Sequence, residues 1–308
     1  MKSSGKGLDH PGQFPLPHSE HVNDLRQVEF VCSQYRQEFI AAFEQNQSLL
    51  RDSVTTEAVI KGNQATFLVA GSGGATARTR GVNGLIPARS DDLEQSTATL
   101  VEWHDLVRRT KFNIFASQGD GRRIMQKTVM AVINRKIDQD IIGELNTGTV
   151  NTGTAVTATP ALYLKSMTIL GNADVPWDGN ITALVTPAFM AYLMQSREFS
   201  GAEYVAARPM QSGETAWTDQ IKIYKWNGAV WVVHPHLPGV GTNAEKCFLY
   251  HKNAIGHAAD VSGMDSPIGY DSEQDYSWAR CSMFMGPKLL QNSGVVVMNH
   301  DGSQLVAG

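Results

Sequence analysis

The chain has 308 residues, enough for one large domain or two ordinary ones with ample core. A formal net charge of −4 excludes a protein that coats nucleic acid by counterion release, and no apolar run approaches the roughly 18 residues of a membrane-spanning helix. Charged residues make up 18%, below the ~25% usual for soluble domains, which points to surface covered by partners. There is no basic-then-apolar signal segment at the start. Three widely spaced cysteines, Cys32, Cys247 and Cys281, read as reduced thiols in a cytoplasm.

Residues 1–18 carry Gly5, Gly7, Pro11, Gly12, Pro15 and Pro17 and read as an arm with no helix and little to bury. Ser19 to Leu50 reads as a long amphipathic helix, with Val22, Leu25, Val28, Cys32, Tyr35, Phe39 and Phe43 on one drifting face. Val54 to Ala70 turns extended, rich in β-branched and aromatic residues, and a matching run returns over Thr97 to Phe115. Between them lies "GSGGATARTRGVNGLIPARSDDLEQS", a long polar, glycine-rich stretch. Two strands flanking it predict a hairpin projecting from the body, because loops of this length are usually functional or disordered. Arg78, Arg80 and Arg89 precede Asp91, Asp92 and Glu94 here. In identical copies side by side, the basic part of one can meet the acidic part of the next, so these six are the candidate inter-subunit contacts.

Asp120 to Leu145 predicts one helix of roughly 40 Å. Met125, Val129, Ile133, Ile137, Ile141 and Leu145 recur every fourth residue, with Val132 filling in at i+3. An i+4 stripe drifts by about 40° per step, so the two ends face different partners. Asp120 is the expected N-cap and Gly148 the expected left-handed stop. The charges run against the macrodipole: Arg122, Arg123 and Lys127 at the start, Asp138, Asp140 and Glu144 at the end. Adjacent subunits are the expected partners for them.

The Thr/Gly stretch 147–160 marks a domain boundary. A short helix over Leu162 to Leu170, a buried strand over Ile181 to Thr186 and a helix starting at Pro187 follow. "QIKIYKW" and "AVWVVHP" form a hairpin across Asn227-Gly228, a type I′ turn signal. From Lys246 the expected order is strand ("KCFLYH"), short helix ("NAIGHAAD"), strand ("DYSWARCSMFM") and strand ("SGVVVMNH"), folding back onto the long helix.

The search for chemistry finds no catalytic, cofactor-binding or metal constellation. "VAGSGGATA" follows a strand but lacks the helix a dinucleotide site needs. His234 and His236, with His251 and His257 nearby, form the best metal-like group, but no HExxH or CxxC accompanies them. Trp103-His104-Asp105 places acid and imidazole on opposite faces of a strand. Glu273 and Asp275 can share a face, and guarding an exposed edge accounts for them.

The order of arm, helix, projecting hairpin, long helix, α/β insert and returning strands resembles the major capsid proteins of tailed bacteriophages. "ATARTRGVNGLIPARSDDLEQSTATLVEW" is similar to their extended loop and "DGRRIMQKTVMAVINRKIDQDIIGEL" to their spine helix. "ALVTPAFMAYLMQSREFSGAEY" is similar to the strand–helix unit of their axial domain, and "FLYHKNAIGHA" and "GPKLLQNSGVVVMNH" to peripheral-domain strands. The resemblance implies an α+β, Hong Kong 97-type capsid fold: N-terminal arm and helix (1–52), extended loop and flanking strands (53–116), spine helix (117–148), axial domain (149–245) and returning peripheral strands (246–308). It implies a non-enzymatic shell protein assembling as hexamers and pentamers of an icosahedral head in the host bacterial cytoplasm. The expected partners are a portal protein at one vertex, a decoration protein as an option, and weakly contacted double-stranded DNA, with no cofactor and no membrane. Some members crosslink through a loop lysine, but none lies between Lys61 and Lys111 here. A start at Met1 leads to the expectation of no removed scaffolding region, hence a separate scaffolding protein. Two alternatives stay open: an encapsulin-like nanocompartment shell, and an α/β hydrolase-type or metal-dependent enzyme built on His234, His236 and nearby acids.

Overall fold

A computed structural model describes residues 47–59, 62–71, 75–86, 88, 92–111, 121–200 and 224–306. The expected arm, most of the Ser19–Leu50 helix, Cys32, the Asp120 N-cap, Arg89 and Asp91 lie outside them. The described end of that expected helix, 47–50, is bends leading into a 3-10 turn over Arg51–Ser53, so the helix does not reach Leu50.

Four strands come next: β1 (Thr55–Val59), β2 (Gln64–Gly71), β3 (Asp92–Thr99) and β4 (Val101–Thr110). β2 and β3 form a two-stranded antiparallel hairpin, from Gln64 opposite Thr99 to Gly71 opposite Asp92. Only its foot is packed: Ala65, Phe67 and Ala98 bury against Ala258.

The long helix, α1 (Gly121–Leu145), buries all six residues of the predicted stripe. Val132 is instead partly exposed, and Ala131 and Ile142 complete the buried face. The helix does not stop on a left-handed glycine. Asn146, Thr147 and Gly148 donate backbone N–H groups to Ile142, Glu144 and Leu145 in tightening turns. Gly148 serves close approach, since a Cβ there would lie 3.3 Å from Val295 Cγ1.

α2 (Pro160–Asn172) and α3 (Pro187–Gln195) each begin with proline in the first turn, after a threonine whose side chain caps the helix. β5 (Ile181–Val185) is buried along its whole length. Ser196 breaks the helical run before α4 (Arg197–Ser200). β6 (Tyr224–Trp226) and β7 (Ala229–Val233) pair across Asn227 and Gly228, both with positive φ (46° and 79°) as a type I′ turn requires.

The remaining elements are β8 (Glu245–His251), β9 (Ile255–Asp260), β10 (Ile268–Asp271), β11 (Tyr276–Leu289), β12 (Val295–His300) and α5 (Ser303–Val306). The expected helix at "NAIGHAAD" is a strand preceded by a 3-10 turn. β9 lies between β1 and β11 and is buried on both faces, which erases the period that separates strand from helix. Glu273 and Asp275 sit in the β10–β11 turn rather than on an edge strand, with Asp275 at positive φ.

Two five-stranded sheets result. The first runs β1-β9-β11-β10, with β4 on the other side of β11, and α1 packs across β11, β4 and β9. Lys136 Nζ on α1 sits 3.8 Å over the Trp103 ring of β4. The second sheet runs β12-β8-β5-β7-β6. The expectation that the strands after Lys246 return together to the long helix therefore holds for β9 and β11 and not for β8 and β12. Those two close the sheet of the inserted segment. One hydrophobic core joins α1 to both sheets, from Met125 and Ile137 to Trp231, Phe248 and Val296. Among the described residues, no helix is long and apolar enough to cross a membrane.

Candidate interaction site

The hairpin presents one face wholly to solvent: Gln64, Thr66, Leu68 and Ala70 on β2, and Leu93, Gln95, Thr97 and Thr99 on β3. The alternation of a strand puts these eight on one side. Beyond the strands, every residue from 75 to 86 is exposed. A small turn organises the tip. Gly84 donates to Gly81 O at 2.8 Å, Gly81 donates to Leu85 O at 3.0 Å, and Gly84 takes a φ of 73° that favours glycine.

Arg78 and Arg80 lie exposed on the approach to this turn, and Glu94 lies exposed on β3 opposite Val69. Asp92 opens β3 opposite Gly71. The sequence reading missed the apolar members of the tip. Val82 is fully exposed, Leu85 is 74% exposed and Ile86 is 71% exposed. Their signal was present: three large apolar residues set among glycines in a stretch with nothing to bury them.

The acidic end of α1 finds its partners within the chain, which corrects the expectation that adjacent subunits answer it. Asp138 is fully buried. Its carboxylate accepts from Ser48 Oγ at 2.6 Å, Leu49 N at 2.9 Å and Leu50 N at 3.2 Å. His234 Nε2 lies 3.6 Å from Oδ2. Burial pushes its pKa up, but the His234 contact, the Leu49 and Leu50 amides and the Ser48 hydroxyl together hold it below the usual carboxylate range. Asp140 pairs with Lys136 at 2.7 Å, and Glu144 Oε2 accepts from Leu289 N at 3.3 Å.

The described histidines sit in separate places. His234 Nδ1 accepts from the backbone N–H of His236 at 3.1 Å, so its proton sits on Nε2, toward Asp138. The His236 ring is exposed. His251 lies 3.1 Å from Asp178 and accepts from Asn253 N. His257 is buried on β9. A further pair that sequence reasoning did not single out joins Glu245 and His300, both fully buried, at 3.8 Å. Glu245 accepts from Thr186 Oγ1 and Gly241 N, each at 2.7 Å, tying the α3 cap to β8. Among the described residues no group of three His, Cys, Asp or Glu side chains is placed to hold a metal ion. Trp103-His104-Asp105 lies on β4, where His104 Nδ1 approaches Glu102 at 3.6 Å.

A family model for phage capsid proteins matches residues 29–302. No curated protein matches the sequence. Among solved structures, the chain is similar to one from Mycobacterium phage Che8, at 14% identity and a TM-score of 0.65, over 86% of this chain and 96% of that one. It is similar to the capsid of cyanophage P-SCSP1u, at 12% identity and a TM-score of 0.67, over 87% and 92%. It is also similar to the capsid of Ralstonia phage GP4, at 10% identity and a TM-score of 0.59, over 96% and 98%. The α+β architecture with its projecting hairpin and long helix is the Hong Kong 97-type capsid fold. With a family match across residues 29–302, the chain belongs to the phage capsid protein family as a structural major capsid protein.

Proposed function

We propose that this protein builds an icosahedral phage head as hexamers and pentamers, with its hairpin lying over the adjacent subunit. The observation that carries this reading is the hairpin tip, where Val82, Leu85 and Ile86 stand in solvent on a two-stranded lever packed only at its foot. Apolar side chains held out in this way gain by burial in a partner. Arg78, Arg80, Arg89, Asp91, Asp92 and Glu94 belong to the same inter-subunit contact. A scaffolding protein guides assembly in the host bacterial cytoplasm and a portal protein fills one vertex, with a decoration protein as an optional addition. The net charge of −4 suits a shell that touches its packaged double-stranded DNA weakly.

The test is expression with and without the scaffolding protein of its phage, followed by velocity sedimentation and electron microscopy. Closed particles are expected for the native chain. A Leu85→Ser/Ile86→Ser variant should melt at the native temperature and lose its particles, because exposed tip residues contribute little to subunit stability, about 0.5 kcal/mol or less. A native chain that stays a monodisperse monomer at high concentration with scaffold present overturns the proposal.

A further inference from the structure

We propose that Asn83 is a self-modification site: in the free subunit its side chain cyclises onto the Gly84 amide and hydrolyses to aspartate and isoaspartate, whereas Asn227 is locked against the same reaction. The chain holds two Asn-Gly dipeptides, Asn83-Gly84 at the hairpin tip and Asn227-Gly228 between β6 and β7. In such a pair the glycine nitrogen can attack the asparagine side-chain carbon, because glycine has no Cβ to crowd the approach. The Gly84 N–Asn83 Cγ bond forms, the Cγ–Nδ2 bond breaks, and the amide proton leaves with ammonia. Water then opens the cyclic imide at either carbonyl. Opening at Cγ leaves aspartate; opening at the main-chain carbonyl leaves isoaspartate, with the backbone running through the side chain.

The ring closure has a geometric cost. A peptide group is planar, so turning the glycine nitrogen toward the side chain swings the asparagine carbonyl oxygen with it. At Asn227 that oxygen is held. It accepts from Tyr163 Oη at 2.8 Å. Tyr163 is fully buried, with its ring 5.3 Å from that of Trp226 and 4.8 Å from that of Trp231. Swinging the oxygen away strands a buried hydroxyl without an acceptor. The turn is also clamped by paired strands, from Trp226 opposite Ala229 to Tyr224 opposite Trp231.

At Asn83 nothing holds the oxygen. Among the described residues no hydrogen bond reaches Asn83, from backbone or side chain. Its turn rests on Gly84 N donating to Gly81 O and Gly81 N to Leu85 O, all of them exposed, so water takes over each group as the turn opens. No paired strand closes it, because the β2–β3 ladder ends at Gly71 opposite Asp92. The conversion matters for charge. Residues 75–86 contain Arg78 and Arg80 and no acid, so it sets the first carboxylate among them. The tip of an unassembled subunit therefore loses positive charge with age. This is chemistry of the subunit in solution and does not depend on the shell.

The test is incubation of the dilute native subunit in mildly alkaline buffer, then cleavage after lysine and arginine and mass spectrometry of peptides 81–89 and 226–246. Peptide 81–89 should gain the mass of an amide-to-acid exchange at Asn83 and become a methyl acceptor for an isoaspartate methyltransferase. Asn227 should convert at least roughly tenfold more slowly, since its cyclisation must first strip a buried hydroxyl of its acceptor. In urea the two should convert at similar rates. Tyr163→Phe should speed Asn227 severalfold and leave Asn83 unchanged. Asn227 keeping pace with Asn83 in the folded subunit overturns the proposal. So does an Asn83 that stays intact in the folded subunit and converts only in urea. A folded Tyr163→Phe subunit with Asn227 as slow as in the native chain overturns the lock. If Tyr163→Phe does not fold, the native chain compared with and without urea decides.

Discussion

Replacing Asp138 with alanine tests whether one carboxylate holds the segment before β1 to the long helix. Three donors converge on it, Ser48 Oγ and the amides of Leu49 and Leu50, and His234 Nε2 lies 3.6 Å from Oδ2. Deleting one partner of a buried charged pair costs about 3–5 kcal/mol, because the groups left behind stay buried and unsatisfied. The two backbone amides cannot rotate toward water, and Leu50 is fully buried, so the upper half of that range is expected. For a chain of this size 1 kcal/mol moves the melting temperature by about 2–4 °C, giving a drop of roughly 8–20 °C. The control is Asp140→Ala, which removes a partly exposed i,i+4 pair with Lys136 and should cost about 1 kcal/mol or less. Thermal melting of the dilute subunit gives the totals, and hydrogen exchange at 48–50 shows whether the loss is local. Asp138→Ala melting alongside Asp140→Ala, or unchanged exchange at Leu49 and Leu50, would refute the reasoning. The pH sign follows from the lowered pKa: the contribution is complete above the unfolded carboxyl's ordinary range and fades only as pH falls below it.

His257 should make the protein acid-sensitive at milder pH. Burial first, and then the Arg51 charge, push its pKa from 6.5 to about 4. The unfolded chain therefore takes up the proton first, and stability declines between about pH 6.5 and pH 4, by at most about 3 kcal/mol. His257→Leu should flatten that limb of the melting temperature against pH, and an unchanged slope would count against the assignment. Gly286→Ala should destabilise by about 1–3 kcal/mol, because its Cβ would fall 2.1 Å from the Thr99 carbonyl oxygen, a backbone atom that no rotamer change can move. Gly143→Ala should do the reverse: its site on α1 is open and exposed, so alanine should add about 0.5–1 kcal/mol by calorimetry.

The elements readable in the sequence are those whose signals are local. The i+4 stripe gives α1, Thr186-Pro187 opens α3, and Asn227-Gly228 turns β6 into β7. What stayed hidden depends on partners far along the chain. β9 carries no alternation because β1 and β11 flank it and both of its faces are buried. Nothing in "KCFLYH" or "SGVVVMNH" says that they close the sheet containing β5 rather than the one under α1. The acids ending α1 looked frustrated because the groups that satisfy Asp138 lie 88–90 residues earlier and at His234. Of the candidate site, the projecting hairpin and its arginines were legible. The apolar tip was not, because a stretch scored as polar hides three residues whose importance lies in their having nowhere to go.

The placement of β12 governs when this protein can become a building block. The segment just after α1 hangs on it: Thr152 N donates to Val297 O, Val297 N to Val150 O, and Asp301 N to Val156 O. β8 needs it as a neighbour, and the foot of the hairpin needs β11, which ends only a few residues earlier. At about 5–20 residues per second, a ribosome spends roughly 10–30 s between making residue 150 and residue 300. Through that interval the residues of the hairpin are already made, while β11 does not yet exist or has just emerged. The hairpin is thus made long before the strand its foot packs against. Both five-stranded sheets are therefore complete only when the chain is nearly finished.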